Sequence, residues 1–491
     1  MNLGANGWMR ACWPAMAAAA MVLCGCVQNA PYRTTAGICG TANCETGSIE
    51  RHTTQADPSI KYLLGIVEFD DQGAKHIPAQ MDALFDRLKA ESKDQDLCIV
   101  VFVHGWEHNG KYDDTNVEDF RKLLESLALT ENQLQPGMRN QPRKAVGIYA
   151  SWRGQSLDAG WLSTVTFWNR KDAAERVAKG SIRELLGRAR ALRDTLDRTT
   201  WEGTLLPAGA SPGAGQNLRS TRLLTIGHSF GGLIVYSALA QYYTDRAAAA
   251  AMAVELGNAK EEDKMIPAYG DLVVIVNPAV EATSWQPIQE IVKDRRGAQF
   301  ARWQKPVFVE VTSTADLATG IAFPLGRSFS TVSENFVDGK ERREAQIAVG
   351  HYEPFVTHDL TKPQAAGVPS PSNGTPARRL VLAECDAQAR FDADWRRDGY
   401  LLPGWTRQYL GGATLSHRAN AFDPNNPFWI VRTDKSLIAG HSDIHEPAFV
   451  DFVRELYEDL QLDASTCAAI GQPALSGATS RVSASPAARR P

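Results

Sequence analysis

The sequence predicts an α/β protein with a mostly parallel central sheet and helices on both of its faces. Three observations carry the prediction. Apolar runs of strand length alternate with segments of helical spacing, a rhythm that gives parallel strands joined by right-handed crossovers. The run from Cys98 to Phe102 is apolar at five consecutive positions, as a strand covered on both faces requires. Finally, the strand-like Arg222-Leu-Leu-Thr-Ile226 runs into Gly227-His-Ser229-Phe-Gly231, and Leu233, Ile234, Tyr236 and Leu239 follow at helical spacing.

The elements follow in order. Residues 1–25 read as a signal peptide: Met1–Arg10 carries one positive charge, and the apolar run Ala11–Val27, interrupted by Pro14, is shorter than the roughly 20 residues of a membrane-crossing helix. Its end, Leu23-Cys24-Gly25-Cys26, resembles a bacterial lipobox, which implies cleavage before a lipidated Cys26. Residues 26–59 are polar and turn-rich and are expected to be a tether. The main domain is then expected over 60–462, opening with a strand at Tyr62–Phe69 and a helix from about Pro78 to Ala90. After the Cys98 strand, Thr115-x-x-Glu118 forms a capping box for a short helix with Val117, Phe120, Leu124 and Leu127 on its buried face. Ala145–Trp152 is a strand, and Lys171–Leu196 has the periodicity of one long helix.

A Gly/Pro/Ala loop at 207–217 leads to the strand before Ser229, and two further strands are expected at Asp271–Val276 and Pro306–Val311. Between Gly320 and Pro427 the rhythm breaks, and this stretch, with Trp395, Tyr400, Trp405 and Tyr409, is expected to be an insertion or cap near the ligand-binding edge. Trp429–Arg432 and Leu437-Ile438 have strand character, and a final helix opens at Glu446-Pro447 with Phe449, Val450, Val453, Leu456 and Leu460 buried. Residues 463–491 are low in complexity and expected to be disordered, and no internal repeat is present.

The chemistry begins at Ser229. A G-x-S-x-G between strand and helix describes a nucleophile elbow, in which a sharp turn exposes the serine hydroxyl. The strand ending at His104-Gly105 supplies an oxyanion loop, so that the backbone N–H groups of Trp106 and Phe230, beside Gly105, would receive a developing alkoxide. The same residues spell His104-Gly-Trp-Glu107-His108, an H-x-x-E-H. Zinc ligation through that motif needs a helix, which a β-branched run followed by glycine disfavours, so no metal is expected.

An acid and a histidine must follow. Asp316, after the later strand, is preferred as the acid, with Glu281 the alternative; position alone leaves both open. Of His351, His358, His417, His441 and His445, the histidine on the loop before the last helix, His441, is best placed, while His445 and Asp443 are expected to be surface or capping residues. Serine needs a base, so His441 would take its proton while the acid fixes the imidazole tautomer. Trp152 and Arg153 end a strand on the same edge and are candidate pocket residues.

Phe102-Val-His-Gly-Trp106, Tyr149-Ala-Ser-Trp-Arg-Gly154, Gly227-His-Ser-Phe-Gly-Gly232, Val276-Asn-Pro-Ala-Val-Glu-Ala282 and Ile438-Ala-Gly-His-Ser-Asp-Ile444 together make the chain resemble bacterial serine hydrolases of the α/β-hydrolase fold, in the lipase/esterase-like group, over roughly residues 60–462. The resemblance implies Ser229, Asp316 and His441 at the triad positions, a carboxylic ester as substrate, and no cofactor. Acyltransferases and peptidases share the fold, and a catalytically silent binding lipoprotein is the alternative from another class.

Composition adds exclusions. With 52 basic and 56 acidic residues interspersed and a net charge of −4, the chain lacks the basic face of a nucleic-acid partner. Cys39 with Cys44, and Cys385 with Cys467, are the pairs an oxidising compartment would allow, while Cys98 reads as core filler. The expected setting is an exported enzyme held on a membrane by lipidated Cys26, facing the periplasm, with no oligomeric state indicated.

Overall fold

The computed structural model describes residues 29–39, 44–138, 142–154, 167–201, 203–207, 219–293, 300–301, 304–362, 385–386, 403–419 and 423–459. The expected signal peptide with Cys26, residues 208–217, the 463–491 tail, Trp395, Tyr400 and Cys467 lie outside them.

The protein is α/β. A single 12-stranded sheet runs in the order β1-β2-β3-β5-β4-β6-β7-β8-β12-β9-β11-β10. Its strands are β1 Thr35–Ile38, β2 Gly47–Thr53, β3 Lys61–Phe69, β4 Leu97–Val103, β5 Lys144–Trp152, β6 Arg222–His228, β7 Leu272–Val276, β8 Phe308–Ser313, β9 His358–Thr361, β10 Thr406–Gln408, β11 Thr414–His417 and β12 Phe428–Thr433. From β3 to β9 every neighbouring pair is parallel. The helices are α1 Pro78–Glu91, α2 Thr115–Met138, α3 Phe167–Lys179, α4 Ile182–Asp197, α5 Phe230–Glu255, α6 Ala282–Lys293, α7 Phe323–Ser330, α8 Gly339–Gln346 and α9 Pro447–Asp459.

Strand side chains alternate between two cores. Leu97, Ile99, Val101 and Val103 of β4 meet α1, α3, α4, α5 and α6 on one face, while Cys98, Val100 and Phe102 meet α2 and α9 on the other. A strand serving two cores has no polar face, which is why β4 reads as an unbroken apolar run. The neighbours β4 and β6 send their connections in opposite directions, β4 through α2 back to β5, and β6 through α5 on to β7. Such a divergence opens a crevice at the carboxyl ends of the two strands.

Several expectations are corrected. The tether does not run to residue 59: β1 and β2 belong to the sheet, β2 pairing antiparallel with β3. Its polar sequence hid this, because the edge is held by buried charge. Arg33 and Glu50 are fully buried and 2.8 Å apart, and Arg121 Nε donates to Glu50 Oε2 at 2.9 Å. Burial pushes the Glu50 carboxyl up, but His52, Arg121 and Arg33 overcome it and hold it at about 2. The predicted long helix is two, α3 and α4, because the chain bends at Gly180-Ser181, where Ser181 N–H donates to Gly73 O at 2.7 Å. The helix at Thr115 is 24 residues long and is capped by Asp114, whose Oδ1 accepts Asn116 N–H at 2.9 Å, and not by the box at Thr115. The 320–427 stretch is no simple insertion: it holds α7 and α8, and β9, β11 and β10 extend the sheet, the last two antiparallel. Leu437-Ile438 is a buried turn and not a strand.

Cys39 and Cys44 are joined by a disulfide, and Cys385 is also disulfide-bonded. Cys98 is a free, buried thiol that burial pushes far above its usual range. Among the described residues no helix is long and apolar enough to cross a membrane.

Candidate active site

Ser229 sits between β6 and α5 with φ 56° and ψ −119°, a conformation that costs a non-glycine residue on the order of 1–3 kcal/mol. The turn is held from both sides. Ser229 N–H donates to Val276 O at 3.0 Å, and Ser229 O accepts the N–H groups of Leu233 at 3.1 Å and Ala279 at 3.3 Å. Glycines flank it because the backbones touch: a Cβ on Gly231 would fall 1.9 Å from Val103 O, and one on Gly227 2.6 Å from Gly231 O.

Three strand ends deliver the remaining groups. His441, on the loop after β12, places Nε2 2.7 Å from Ser229 Oγ. Its Nδ1 lies 2.9 Å from Asp316 Oδ1, close but bent away from the N–H direction. Asp316 follows β8 and is wholly buried; Oδ1 accepts Ala318 N–H at 2.9 Å and Thr319 N–H at 3.2 Å, and Oδ2 accepts the Thr319 hydroxyl. Burial pushes this carboxyl up, but His441 and Thr319 outweigh it and hold it below the ordinary range, hence ionised. Because Thr319 gives its hydrogen to Asp316, the 3.1 Å contact between His351 Nε2 and Thr319 Oγ1 must be donated by His351. The chain of contacts is therefore His351, Thr319, Asp316, His441, Ser229.

The loop after β4 lies against the serine. A Cβ on Gly105 would stand 2.8 Å from Ser229 Cβ. His104 locks that loop: Trp152 N–H donates to its Nε2 at 3.1 Å, so Nδ1 carries the hydrogen and donates to Gly105 O at 2.8 Å. Burial pushes the ring down to about 4, so it is neutral, stacked between Tyr149 and Trp152. With both nitrogens taken by backbone and Glu107 at φ 68°, H-x-x-E-H is here a loop lock with no helical ligand face. Phe230 is the first residue of α5, so its N–H has no intrahelical acceptor. Trp106 packs on Phe167, which packs on Phe230.

Glu281 is not brought to this cluster. It pairs with Lys171 Nζ at 3.0 Å and Arg327 Nε at 3.1 Å. Arg153 pairs with Asp71, and Trp152 is buried beside His104. His445 is half-buried, its Nε2 3.9 Å from Asp119. An apolar crevice of about 800 Å³, open solvent included, lies between α2 and α9 over Phe102, Ile226 and Val276, but Ser229, His441 and Asp316 do not line it.

Sequence reasoning missed a platform under His441. The His441 carbonyl accepts from His228 Nε2 at 2.8 Å and Asn277 Nδ2 at 2.9 Å; Asn277 Oδ1 accepts Ser313 N–H at 3.0 Å, and Ser313 Oγ donates to Ile438 O at 2.7 Å. A carbonyl only accepts, so His228 carries its hydrogen on Nε2. Burial, with His441 adjacent, holds that ring well below the imidazole range. The one sequence signal for these residues was position, at the ends of β6, β7 and β8.

No protein-family model, curated protein or solved structure matches this chain.

Proposed function

We propose that the chain is a serine ester hydrolase of the α/β-hydrolase fold, held on a membrane through a lipidated Cys26. The observation that carries the reading is the unbroken contact from Ser229 Oγ through His441 to Asp316, assembled from three strand ends around a strained turn. The divergence of β4 and β6 supports the fold, and the Cys39–Cys44 disulfide supports an oxidising compartment.

The reaction follows from the geometry. Ser229 Oγ attacks the ester carbonyl as its proton passes to His441 Nε2, and the imidazolium is stabilised by ionised Asp316. The tetrahedral oxyanion is received by the N–H groups of Phe230 and Trp106, each such donor contributing on the order of 3 kcal/mol. His441 then gives its proton to the departing alcohol oxygen as the C–O bond breaks, leaving an acyl-Ser229. Water, deprotonated by His441, attacks the acyl carbon, the imidazolium returns that proton to Ser229 Oγ as the acyl C–O bond breaks, and the carboxylic acid leaves and gives its own proton to solvent. Every proton and electron pair is supplied by these residues, ester and water, so the cycle calls on no cofactor.

A fluorophosphonate probe tests this directly. Wild-type protein is expected to be labelled and to hydrolyse nitrophenyl esters, and Ser229→Ala to do neither while remaining folded. Folded wild type that takes no label and turns over no ester removes the proposal in favour of a binding protein.

A further inference from the structure

We infer that the carboxyl edge of the sheet seats on a lipid bilayer, and that the site takes diacyl lipids held in that bilayer; the seating rests in part on the lipidated Cys26, and the substrate half on the hydrolase reading, both proposed above. The helical segment leaving Asp316 carries the inference. Over Ala318–Ala322 the chain makes a wide π turn that runs directly into α7. Thr319 and Phe323 are buried, and a Cβ on Gly326 would fall 1.8 Å from the Trp168 indole, so this side faces the protein. The opposite side is apolar and in water: Leu317, Ile321, Leu325, Phe329 and Val332 are 65, 54, 58, 80 and 80 % exposed. An amphipathic helix ordinarily turns its apolar stripe to the core, and a continuous stripe turned outward marks an interaction surface, here of the kind that lies in a membrane interface. No other described helix carries such a stripe; Met252 and Leu256 make only a pair at the far end of α5.

The other flank of the sheet says what covers it. Arg33 is pinned where the loop after β4 meets β2, its guanidinium donating to Gly110 O at 2.7 Å, Cys44 O at 2.6 Å and Gly47 O at 3.0 Å. Because β2 is antiparallel to β3, the chain enters the domain at the carboxyl edge, the edge that holds Ser229. Arg33 lies seven steps along the chain from Cys26, a reach of at most about 25 Å at ~3.5 Å per residue. The nine residues of β3 alone span about 30 Å, so a lipid on Cys26 cannot let the opposite edge turn to the bilayer. Between β2 and β8 lie six strand spacings, about 29 Å at ~4.8 Å each, with β6 and Ser229 in between. Tyr112, 38 % exposed with Arg121 over its ring at 4.3 Å, lies near Arg33 on the loop after β4, an amphipathic aromatic suited to an interface. Two lipid-facing supports thus straddle the serine.

The full-length acylated protein in vesicles of phosphatidylethanolamine and phosphatidylglycerol tests this. A fluorophore on Phe329→Cys is expected to be quenched by brominated lipid, and the same fluorophore on Lys93→Cys, exposed at the amino edge, to be unaffected. The variant Leu325→Glu/Phe329→Glu should keep wild-type turnover of nitrophenyl acetate but lose at least about tenfold in hydrolysis of the vesicle phospholipids, since removing either apolar side chain from lipid is worth about a decade or more. Equal quenching at both sites, or a Phe329→Cys probe already shielded without vesicles because a second copy covers it, overturns the seating. Quenching at Phe329→Cys with no phospholipid hydrolysis, or with hydrolysis equal in the variant, overturns the substrate class. Quenching without any nitrophenyl acetate turnover in the wild type instead removes the hydrolase reading and leaves the seating standing.

Discussion

The middle of β8 and the loop at its end each bury a carboxylic acid, and the two behave in opposite ways. Asp316 accepts from Ala318 and Thr319, has His441 Nδ1 2.9 Å away, and is held ionised. Glu310 is equally inaccessible but has Thr312 on one oxygen and, among the described residues, no hydrogen-bond partner on the other, and burial pushes it up to about 8. Burial is common to both, so the partners decide the charge. A strand interior spends its backbone N–H groups on the sheet, whereas the turn after a strand has them free to offer an anion.

The comparison breaks hardest at Asp316. Asp316→Asn should lower kcat for ester hydrolysis about ten-thousandfold with folding retained, because His441 loses the partner that fixes its tautomer and stabilises its charge. Asn277→Ala removes the amide that joins β8 to the His441 carbonyl; since a small misplacement of a reacting group is costly, kcat should fall by about a hundredfold while KM moves little. Thr319→Val takes one donor from Asp316 and leaves its two backbone donors, so a loss of about tenfold in kcat is expected, read from steady-state kinetics.

Glu310→Gln sharpens the contrast from the other side, leaving turnover unchanged and altering stability. A carboxyl raised to about 8 in the fold holds a proton that the unfolded chain releases near 4.5, so its contribution is complete below about pH 4.5 and is lost as pH rises through about 8. Unfolding free energies from urea titrations should therefore fall between about pH 5 and about pH 9 in wild type, by up to on the order of 5 kcal/mol for full ionisation, and fall less in Glu310→Gln. Parallel declines in both proteins would mean Glu310 is already relieved by a partner.

What the sequence disclosed and withheld follows the same division between local and distant causes. Ser229 and His441 were legible because an elbow has a five-residue signature and its partners fall in a set chain order, but that order is met by Glu281 as well as Asp316, and only the packing of His441 against Asp316 separates the two. The platform of His228, Asn277 and Ser313 was not, since each acts through a backbone carbonyl or N–H that no side-chain pattern encodes. The strands β3 to β8 announced themselves by apolar runs. The outer strands β1 and β2 did not, because Glu50 of β2 finds its partner 71 residues away at Arg121, while Arg33, just before β1, gives its backbone N–H to Glu68 of β3, 35 residues on, and buried charge reads as surface until its counterpart is placed. The split between α3 and α4 was hidden because their apolar periodicity continues across the bend.

His441 arrives on the loop after β12, behind nearly nine-tenths of the polypeptide, and rests on a carbonyl grip contributed by much earlier segments. A nascent chain released short of that loop would lack the imidazole that the proposed reaction uses as its base. On the proposed hydrolase reading, reactivity would then appear only once the segment carrying His441 has been made and docked.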